Sequence, residues 1–537
     1  MKRIIIVMVA LIILFVLLSA TQAFAGEDIC SEPVSTSEGL VKGLPDSEFA
    51  ACVWRGIPYA APPVGELRWQ RPHTPDSHEG IFNAYNFGPS CPQNEIIFSG
   101  GKSEEFSEDC LTLNIFSPQK SGKFPVMLWI HGGGFIIGAG TYNMYDSARL
   151  AADKDVVVVT INYRLGALGF FALPELAAED PDGSTGNYGL MDQIEALKWV
   201  HDNISGFQGD PDNVTIFGQS AGGMSVCALL ASQPAAGLFH RAIPMSGSCS
   251  VSGTLESGYK QYQQIARDLG CEGGDVLDCL RQKPAEAFVP EGGIFSAIRN
   301  IRSIMSHSPI IDGYVLTDQP IDCIREGNYN QVPVMVGCTR DEIRYFTLIL
   351  PGMSLLPRFA VNKLINWMFD EKTDEIMEMY SYSDYKHPAQ LFLAVASDAF
   401  GAQSYIAAEA LSERTPVYLY RFDWDETRFP DKAGAFHALD VPFVFGKEHP
   451  DARISRWLNK KHDYSRAAMG GQIMDYYTNF AKTGDPNGPG ILDWPAFCIE
   501  KKERIYFDNP ITVAPVDGKD LERYKFFSEH GRGGLLD

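Results

Sequence analysis

The chain has 537 residues, of which 45 % are hydrophobic, and it carries a formal net charge of −22. This composition predicts a large globular protein, and an acidic balance without a basic stripe argues against nucleic-acid binding. The eleven cysteines are typical of an oxidising compartment, and their odd number leaves at least one without an intramolecular partner. None of them has the spacing of a metal site, so no metal is expected.

The N-terminus has the pattern of a secretory signal peptide. Lys2-Arg3 precedes an apolar run over 4–18, and small residues end at Ala25. This pattern predicts cleavage after Ala25, an extracytoplasmic protein and a mature domain over 26–537. A retained anchor is the alternative, but the run is shorter than the about 20 residues that a span needs. No later segment looks long and apolar enough to cross a bilayer, so stable membrane insertion is not expected.

Short apolar runs alternate with helical patterns along the chain. Ala242–Met245 is the weakest strand candidate, because Pro244 cannot donate a backbone hydrogen bond. A helix is predicted where apolar residues recur at spacings of three and four, at Leu190, Ile194, Leu197, Val200 and Ile204. The other strand candidates are Val126–Ile130, Val156–Ile161, Val214–Phe217, Val334–Gly337 and Val417–Phe422. The alternation predicts an α/β fold with a mostly parallel sheet covered by helices, whose sites form at the carboxyl ends of strands.

A glycine run follows the first of these strands, as His131-Gly132-Gly133-Gly134. Consecutive glycines let backbone N–H groups approach a reacting centre, and acyl transfer needs such donors for its negative intermediate. An ordinary glycine turn is the alternative. Further along, Gly218-Gln219-Ser220-Ala221-Gly222 stands between an apolar strand and an apolar helix. A G-x-S-x-G between strand and helix is the nucleophile elbow of serine hydrolases, which predicts Ser220 as a nucleophile.

A hydrolase of this kind orders its catalytic residues as serine, acid and histidine. His437 lies in a loop of small and apolar residues, where a histidine can be partly buried. Asp341-Glu342 and Asp423 each follow a strand candidate, and spacing does not decide between them. The other histidines that fit the order are His307, His387, His449, His462 and His530. A histidine base must be neutral, so activity should weaken in acid.

These and further segments resemble the type-B carboxylesterase and lipase family, which includes the cholinesterases. The resemblance covers nearly all of the mature chain. The additional matching segments are Arg55–Ala60, Pro62–Gly65, Glu108–Asn114, Asn162–Gly166 and Gly186–Gln193. It implies an α/β-hydrolase fold and a serine esterase that acts on small-molecule esters without a cofactor.

The resemblance also implies residue roles. Ser220 is similar to the nucleophile, Glu342 to the triad acid and His437 to the base. Gly133, Gly134 and the N–H of Ala221 match the oxyanion hole. Ser246 and Asp440 resemble residues that hydrogen-bond around the acid and the histidine. The chain departs from the family pattern at Gln208, Gln219 and Ile343.

The resemblance pairs Cys91 with Cys110 and Cys271 with Cys279, and Cys227 is expected to be a buried free thiol. In cholinesterases the first of these loops carries a tryptophan that binds the choline cation. The matching segment here, 92–109, has no tryptophan, and its aromatic residues are Phe98 and Phe106. Gln219 is neutral where Glu is common, and Tyr345 and Phe346 resemble an apolar wall of the family's gorge. We therefore expect uncharged esters with short to medium acyl chains as substrates.

Two alternatives remain at this point. Some relatives keep the fold, lose catalytic residues and act as adhesion or binding proteins at cell surfaces. A choline-ester hydrolase is the second alternative, which the acidic charge alone does not support. Nothing in the sequence indicates the oligomeric state.

Overall fold

The computed structural model describes residues 29–94, 105–250, 252–289, 307–344, 352–447 and 464–530. The expected signal peptide and the histidines His449 and His462 lie outside these ranges, as do Phe98, Tyr345 and Phe346.

An eleven-stranded mixed sheet forms the centre of the molecule, in the order β16-β15-β14-β13-β10-β9-β7-β8-β6-β4-β3. Two further small sheets contain β1, β2 and β5, and β11 and β12. The strands are β1 Val34–Ser35, β2 Leu40–Lys42, β3 Leu44–Pro45, β4 Ala51–Pro58, β5 Ile81–Asn83, β6 Thr112–Pro118, β7 Phe124–Ile130, β8 Val157–Ile161, β9 Gly209–Gln219, β10 Arg241–Met245, β11 Gly253–Thr254, β12 Ile310–Ile311, β13 Val334–Thr339, β14 Val417–Phe422, β15 Glu503–Phe507 and β16 Thr512–Pro515.

The seven strands from β15 to β8 in this order run parallel to one another. All six strand candidates lie in this block, so the predicted mostly parallel sheet is confirmed. Alternate residues of β7 face two different cores: Leu128 packs in one cluster of buried apolar side chains, and Met127 and Trp129 pack in the other. Burial on both faces explains why these strands are continuous apolar runs in the sequence.

The central strand β10 contains Pro244 although proline cannot complete a hydrogen-bond ladder. The N–H groups of Ala242 and Ser246 donate to the carbonyls of Pro333 and Gly337. Pro244 lies between these two donors, and β10 pairs with β13 only at Ala242 and Met245. The missing donor thus interrupts one side of the strand, while pairing with β9 continues through Pro244.

Helices cover both faces of the sheet. The predicted helix over 190–204 is confirmed as α4, with Ile204 just beyond it in a short 3₁₀ turn. The helices are α1 Ala148–Lys154, α2 Gly166–Phe170, α3 Pro174–Glu179, α4 Tyr188–Asn203, α5 Ala221–Ala231, α6 Leu255–Asp268, α7 Val276–Arg281, α8 Pro320–Glu326, α9 Arg358–Phe369, α10 Thr373–Met379, α11 Pro388–Ser412, α12 Pro430–Ala433, α13 Val441–Val444, α14 Tyr464–Thr483 and α15 Gly518–His530.

Helix α11 corrects one expectation from the sequence. Its 25 residues are long and apolar enough to cross a membrane by length and composition, whereas no later segment of the chain was expected to be. In the structure, 72 % of its most apolar window is buried inside the protein. The helix packs against β13, β14 and α15, so its apolar side chains are part of the hydrophobic core.

Four disulfides join buried segments of the chain. Cys91 is bonded to Cys110 and Cys271 to Cys279, the two pairs that the family resemblance implies. A third joins Cys30 to Cys52. The expectation of a free thiol at Cys227 is wrong, because Cys227 is bonded to Cys249. Among the described residues, the free cysteines are Cys323, Cys338 and Cys498.

Candidate active site

Ser220 occupies the sharp turn between β9 and α5. Its backbone has φ 59° and ψ −124°, a conformation that non-glycine residues rarely adopt. Such strain persists only where the surroundings hold it, and here the Ser220 N–H donates to the carbonyl of Met245 on the neighbouring strand. The expected nucleophile elbow is therefore present as a strand, a strained serine and a helix.

The glycine run after β7 lies directly against the elbow. A Cβ atom on Gly132 would lie 2.5 Å from the carbonyl oxygen of Gln219 and 3.1 Å from the Cβ of Ser220. Gly132 is thus required for close approach of the two segments. In the described part of the chain, no acceptor takes the N–H of Gly133 or Gly134. Ala221 is the first residue of α5, so its N–H has no acceptor within that helix either, and all three N–H groups remain available as donors.

Glu342 and His437 are joined by a short hydrogen bond between Glu342 Oε2 and His437 Nδ1. The Glu342 side chain is fully buried, whereas 19 % of the His437 side chain is exposed. The other carboxylate oxygen, Oε1, accepts from the Thr339 N–H at 2.8 Å and from the Ser246 hydroxyl at 2.7 Å. Three donors therefore fix this carboxylate, and the carboxylate orients the imidazole.

The alternative acids and bases lie elsewhere. Asp423 binds the guanidinium of Arg421, and Asp341 accepts from the Ala435 N–H, which holds the loop that carries His437. His307 is buried against the Tyr262 hydroxyl, and burial lowers its pKa to about 4. His387 and His530 are exposed at helix ends. Of the described candidates, only Glu342 and His437 are brought together.

Gln219 makes a contact that the sequence did not reveal. Its side-chain nitrogen lies 3.0 Å from His437 Nε2, the ring nitrogen that does not bind Glu342. No hydrogen bond joins Ser220 to His437 in this arrangement of the described residues. Two residues of α11 also approach the site: the ring of Phe400 packs edge-on against His437, and the hydroxyl of Ser397 accepts from the Ile343 N–H. Glycine would offer the same N–H at position 343, so this departure from the family pattern preserves the contact.

Asp440 is buried beside the Glu342–His437 pair. Tyr420 donates to Asp440 Oδ2 at 3.2 Å, while Oδ1 is buried without a hydrogen-bond partner. Burial, and then the neighbouring Glu342 carboxylate, raise the pKa of Asp440 to about 7. No hydrogen bond joins Asp440 to Glu342 or His437 in the described structure, so Asp440 acts on them only through its charge and its packing.

The pKa of Asp440 predicts a pH-dependent contribution to stability. The carboxyl group keeps its proton to about pH 7 in the folded protein but titrates near 3.8 when unfolded, so the free energy of unfolding falls as pH rises between these values. Asp440→Asn cannot lose a proton and removes this loss. The measured quantity is the melting temperature of the Asp440→Asn variant minus that of the unmodified protein. We expect this difference to be larger at pH 8 than at pH 4. An equal difference at both pH values in calorimetry contradicts this assignment.

Among the described residues, no cluster of three or more His, Cys, Asp or Glu side chains can hold a metal ion. The chemistry available at the elbow is that of a serine hydroxyl, an imidazole held by a buried carboxylate, and free backbone donors. This is the set of groups that acyl transfer uses.

Comparisons with known proteins agree with this geometry. The sequence profile of the Carboxylesterase family matches residues 31–521. Para-nitrobenzyl esterase of Bacillus subtilis (strain 168) is 36 % identical over 505 residues, which cover 93 % of this chain and 99 % of the relative. Carboxylesterase 1E of Mus musculus is 33 % identical over 535 residues, covering 90 % and 92 % of the two chains.

Solved structures show the same agreement in three dimensions. A thermophilic PNB esterase superposes with a TM-score of 0.80 at 35 % identity and covers 92 % of this chain and 99 % of its own. A carboxylesterase of Geobacillus stearothermophilus gives a TM-score of 0.78 at 34 % identity, with the same coverage. The fold is therefore that of the α/β hydrolases, and the chain belongs to the carboxylesterase family of serine carboxylic-ester hydrolases.

Proposed function

We propose that this carboxylesterase hydrolyses uncharged esters through an acyl-enzyme intermediate on Ser220, with His437 as base and Glu342 as the acid of the triad. The observation that carries the proposal is the position of His437. Its Nδ1 is bound by the buried Glu342 carboxylate, and its Nε2 reaches the elbow at Gln219, one residue before Ser220.

The first half of the reaction forms the acyl-enzyme. The Ser220 hydroxyl attacks the ester carbonyl while His437 Nε2 takes its proton, and Glu342 stabilises the resulting imidazolium. The carbonyl oxygen becomes negative and accepts from the N–H groups of Gly133, Gly134 and Ala221. His437 then gives the proton to the leaving alcohol.

The second half repeats these steps with water. His437 takes a proton from water, which attacks the acyl-enzyme carbonyl, and the Ser220 oxygen leaves with that proton as the acid product departs. The Gln219 amide has to release His437 Nε2 before either half can begin. Catalytic hydrogen bonds are often long or absent until substrate binds, so substrate entry is the step at which we place this release.

Ser246 and Asp440 lie next to the Glu342–His437 pair. Ser246 donates to the Glu342 oxygen that does not face His437, which leaves Oε2 for the imidazole. Asp440 is largely protonated below about pH 7 and carries a negative charge beside Glu342 above that pH. Both act through Glu342 and His437 rather than on substrate.

The preference for uncharged esters is supported by the residues that are absent from the site. The side chain that contacts His437 from the elbow is the neutral Gln219, which offers no charge to a cationic substrate. The segment 92–109 has no tryptophan, the strongest aromatic binder of cations, although much of that segment lies outside the described residues.

Acetylcholine and an acetate ester of the same shape, with carbon in place of the quaternary nitrogen, test this preference. We expect kcat/KM for the uncharged ester to be higher, because the quaternary cation gives up its hydration on entering the site and neither a tryptophan nor an acidic elbow side chain compensates for that loss. A panel that varies acyl length at constant alcohol then locates the preferred acid. A clear preference for the choline ester would overturn the substrate proposal but leave the triad untouched.

We also propose an extracytoplasmic location. Four disulfides are unusual in a reducing cytosol, and the first 25 residues have the pattern of a signal peptide.

A further inference from the structure

We propose that the Cys227–Cys249 disulfide is a positioning crosslink of the active site, which holds the Ser246 hydroxyl on the Glu342 carboxylate. This inference rests on the proposed function, because it concerns the acid of the same triad.

The crosslink joins helix α5 to the loop after β10. Cys227 lies in α5, the helix that begins at Ala221, directly after Ser220. Cys249 lies in the loop after β10, three residues beyond Ser246. Both cysteines are buried. The bond therefore connects the helix that follows the proposed nucleophile to the segment that contacts the proposed acid.

The same two segments are packed backbone against backbone. A Cβ atom on Gly223 would lie 2.6 Å from the carbonyl oxygen of Met245 and 3.1 Å from the Cα of Gly247. There is no side chain between them to fill a gap if the segments separate. The disulfide links the two segments covalently next to this glycine contact, because Cys227 lies one helical turn beyond Gly223 in α5.

The backbone of Ser246 is strained, so its conformation depends on the neighbouring segments that hold it. Its φ is +46°, in the left-handed region that non-glycine residues rarely adopt. This conformation directs the Ser246 hydroxyl to Glu342 Oε1 at 2.7 Å while its N–H bonds the Gly337 carbonyl at 2.8 Å. The hydrogen bond from the Ser246 N–H to the Gly337 carbonyl fixes the start of the turn. The disulfide fixes the following residues, which lead to Cys249.

Loss of the crosslink should let this turn relax, weaken the Ser246–Glu342 bond and leave the imidazole less well oriented. Misplacement of a catalytic group by about 1 Å costs up to about 10²-fold in rate. We therefore expect Cys227→Ala/Cys249→Ala to lower kcat by about tenfold and to change KM by less than about twofold. Both constants are measured well below the melting temperature of the variant.

The chain offers a matched control. The Cys30–Cys52 disulfide is also buried, and both crosslinks span 22 residues, so each constrains the unfolded chain to a similar extent. Cys30→Ala/Cys52→Ala should therefore lose a comparable amount of stability and retain full kcat. Equal kcat values for the two double variants would overturn the proposal.

A second comparison separates positioning from stability. If the crosslink acts through Ser246, its removal in a Ser246→Ala background should lower kcat by less than about twofold further, because interacting sites are not additive. The same tenfold loss in both backgrounds would overturn the proposal. Should the double variant fail to fold, Cys249→Ser alone, which leaves the elbow helix unchanged, is measured against Cys52→Ser with the same expectations. Full activity of Ser220→Ala would instead reject the triad itself.

Discussion

Replacing Ser220 by Ala is expected to lower kcat/KM for ester hydrolysis by about 10⁴- to 10⁶-fold, because the members of a triad act as a unit. The strained backbone at position 220 is set by the turn between β9 and α5, and alanine has a Cβ like serine, so the fold should persist. Steady-state hydrolysis of a neutral ester, together with the melting temperature, measures both parts of this prediction.

Ser225→Ala is the matched control for Ser220→Ala. Ser225 is a buried serine in α5, the helix that follows Ser220, and its hydroxyl accepts from the side chain of Gln193. The control should lose some stability, since it leaves a buried donor unsatisfied, and keep kcat/KM within about twofold. Comparable activity losses in the two variants would mean that any disturbance of α5 impairs the enzyme, and Ser220 would have no special role.

Glu342→Gln should lower kcat by about 10⁴-fold although it changes neither size nor shape. The amide oxygen can still accept from the Thr339 N–H and the Ser246 hydroxyl at the Oε1 position. The amide NH₂ then faces His437 Nδ1 and donates to it, which moves the imidazole proton to Nε2. A histidine protonated at Nε2 cannot take the proton from Ser220, so the loss should appear in kcat rather than in KM.

Glu38→Gln provides the control for this change of charge. Glu38 is also a largely buried carboxylate, but its partners are the Trp199 indole and the Ser37 hydroxyl, which belong to no part of the site. We expect kcat within about twofold of the unmodified enzyme. Full activity of Glu342→Gln would exclude Glu342 as the triad acid and reopen the question of what orients His437.

The sequence predicted the parallel sheet because its strands are buried on both faces and appear as continuous apolar runs. It predicted the elbow because a strained serine between strand and helix needs a recognisable set of small residues. The acid could not be chosen from pattern alone, since Asp423 also follows a strand. Only the three-dimensional arrangement shows that Asp423 is held by Arg421 while Glu342 reaches His437.

The features that the sequence missed are contacts between distant segments. Cys227 looked like a buried thiol because nothing local marks Cys249 as its neighbour. The apolar length of α11 does not distinguish a core helix from a membrane span, because both bury apolar side chains. The contact between Gln219 and His437 joins residues 218 positions apart, and no periodicity or motif reports it.

Covalent labelling of Ser220 tests the central claim most directly. A fluorophosphonate reacts with a serine that is activated by a neighbouring base, and peptide mass mapping locates the adduct. The account predicts one phosphonyl group per chain, on the peptide that contains Ser220, and none on Ser220→Ala or after denaturation. An adduct on another residue with Ser220 unmodified, or no adduct on an enzyme that hydrolyses esters, would contradict the proposed mechanism.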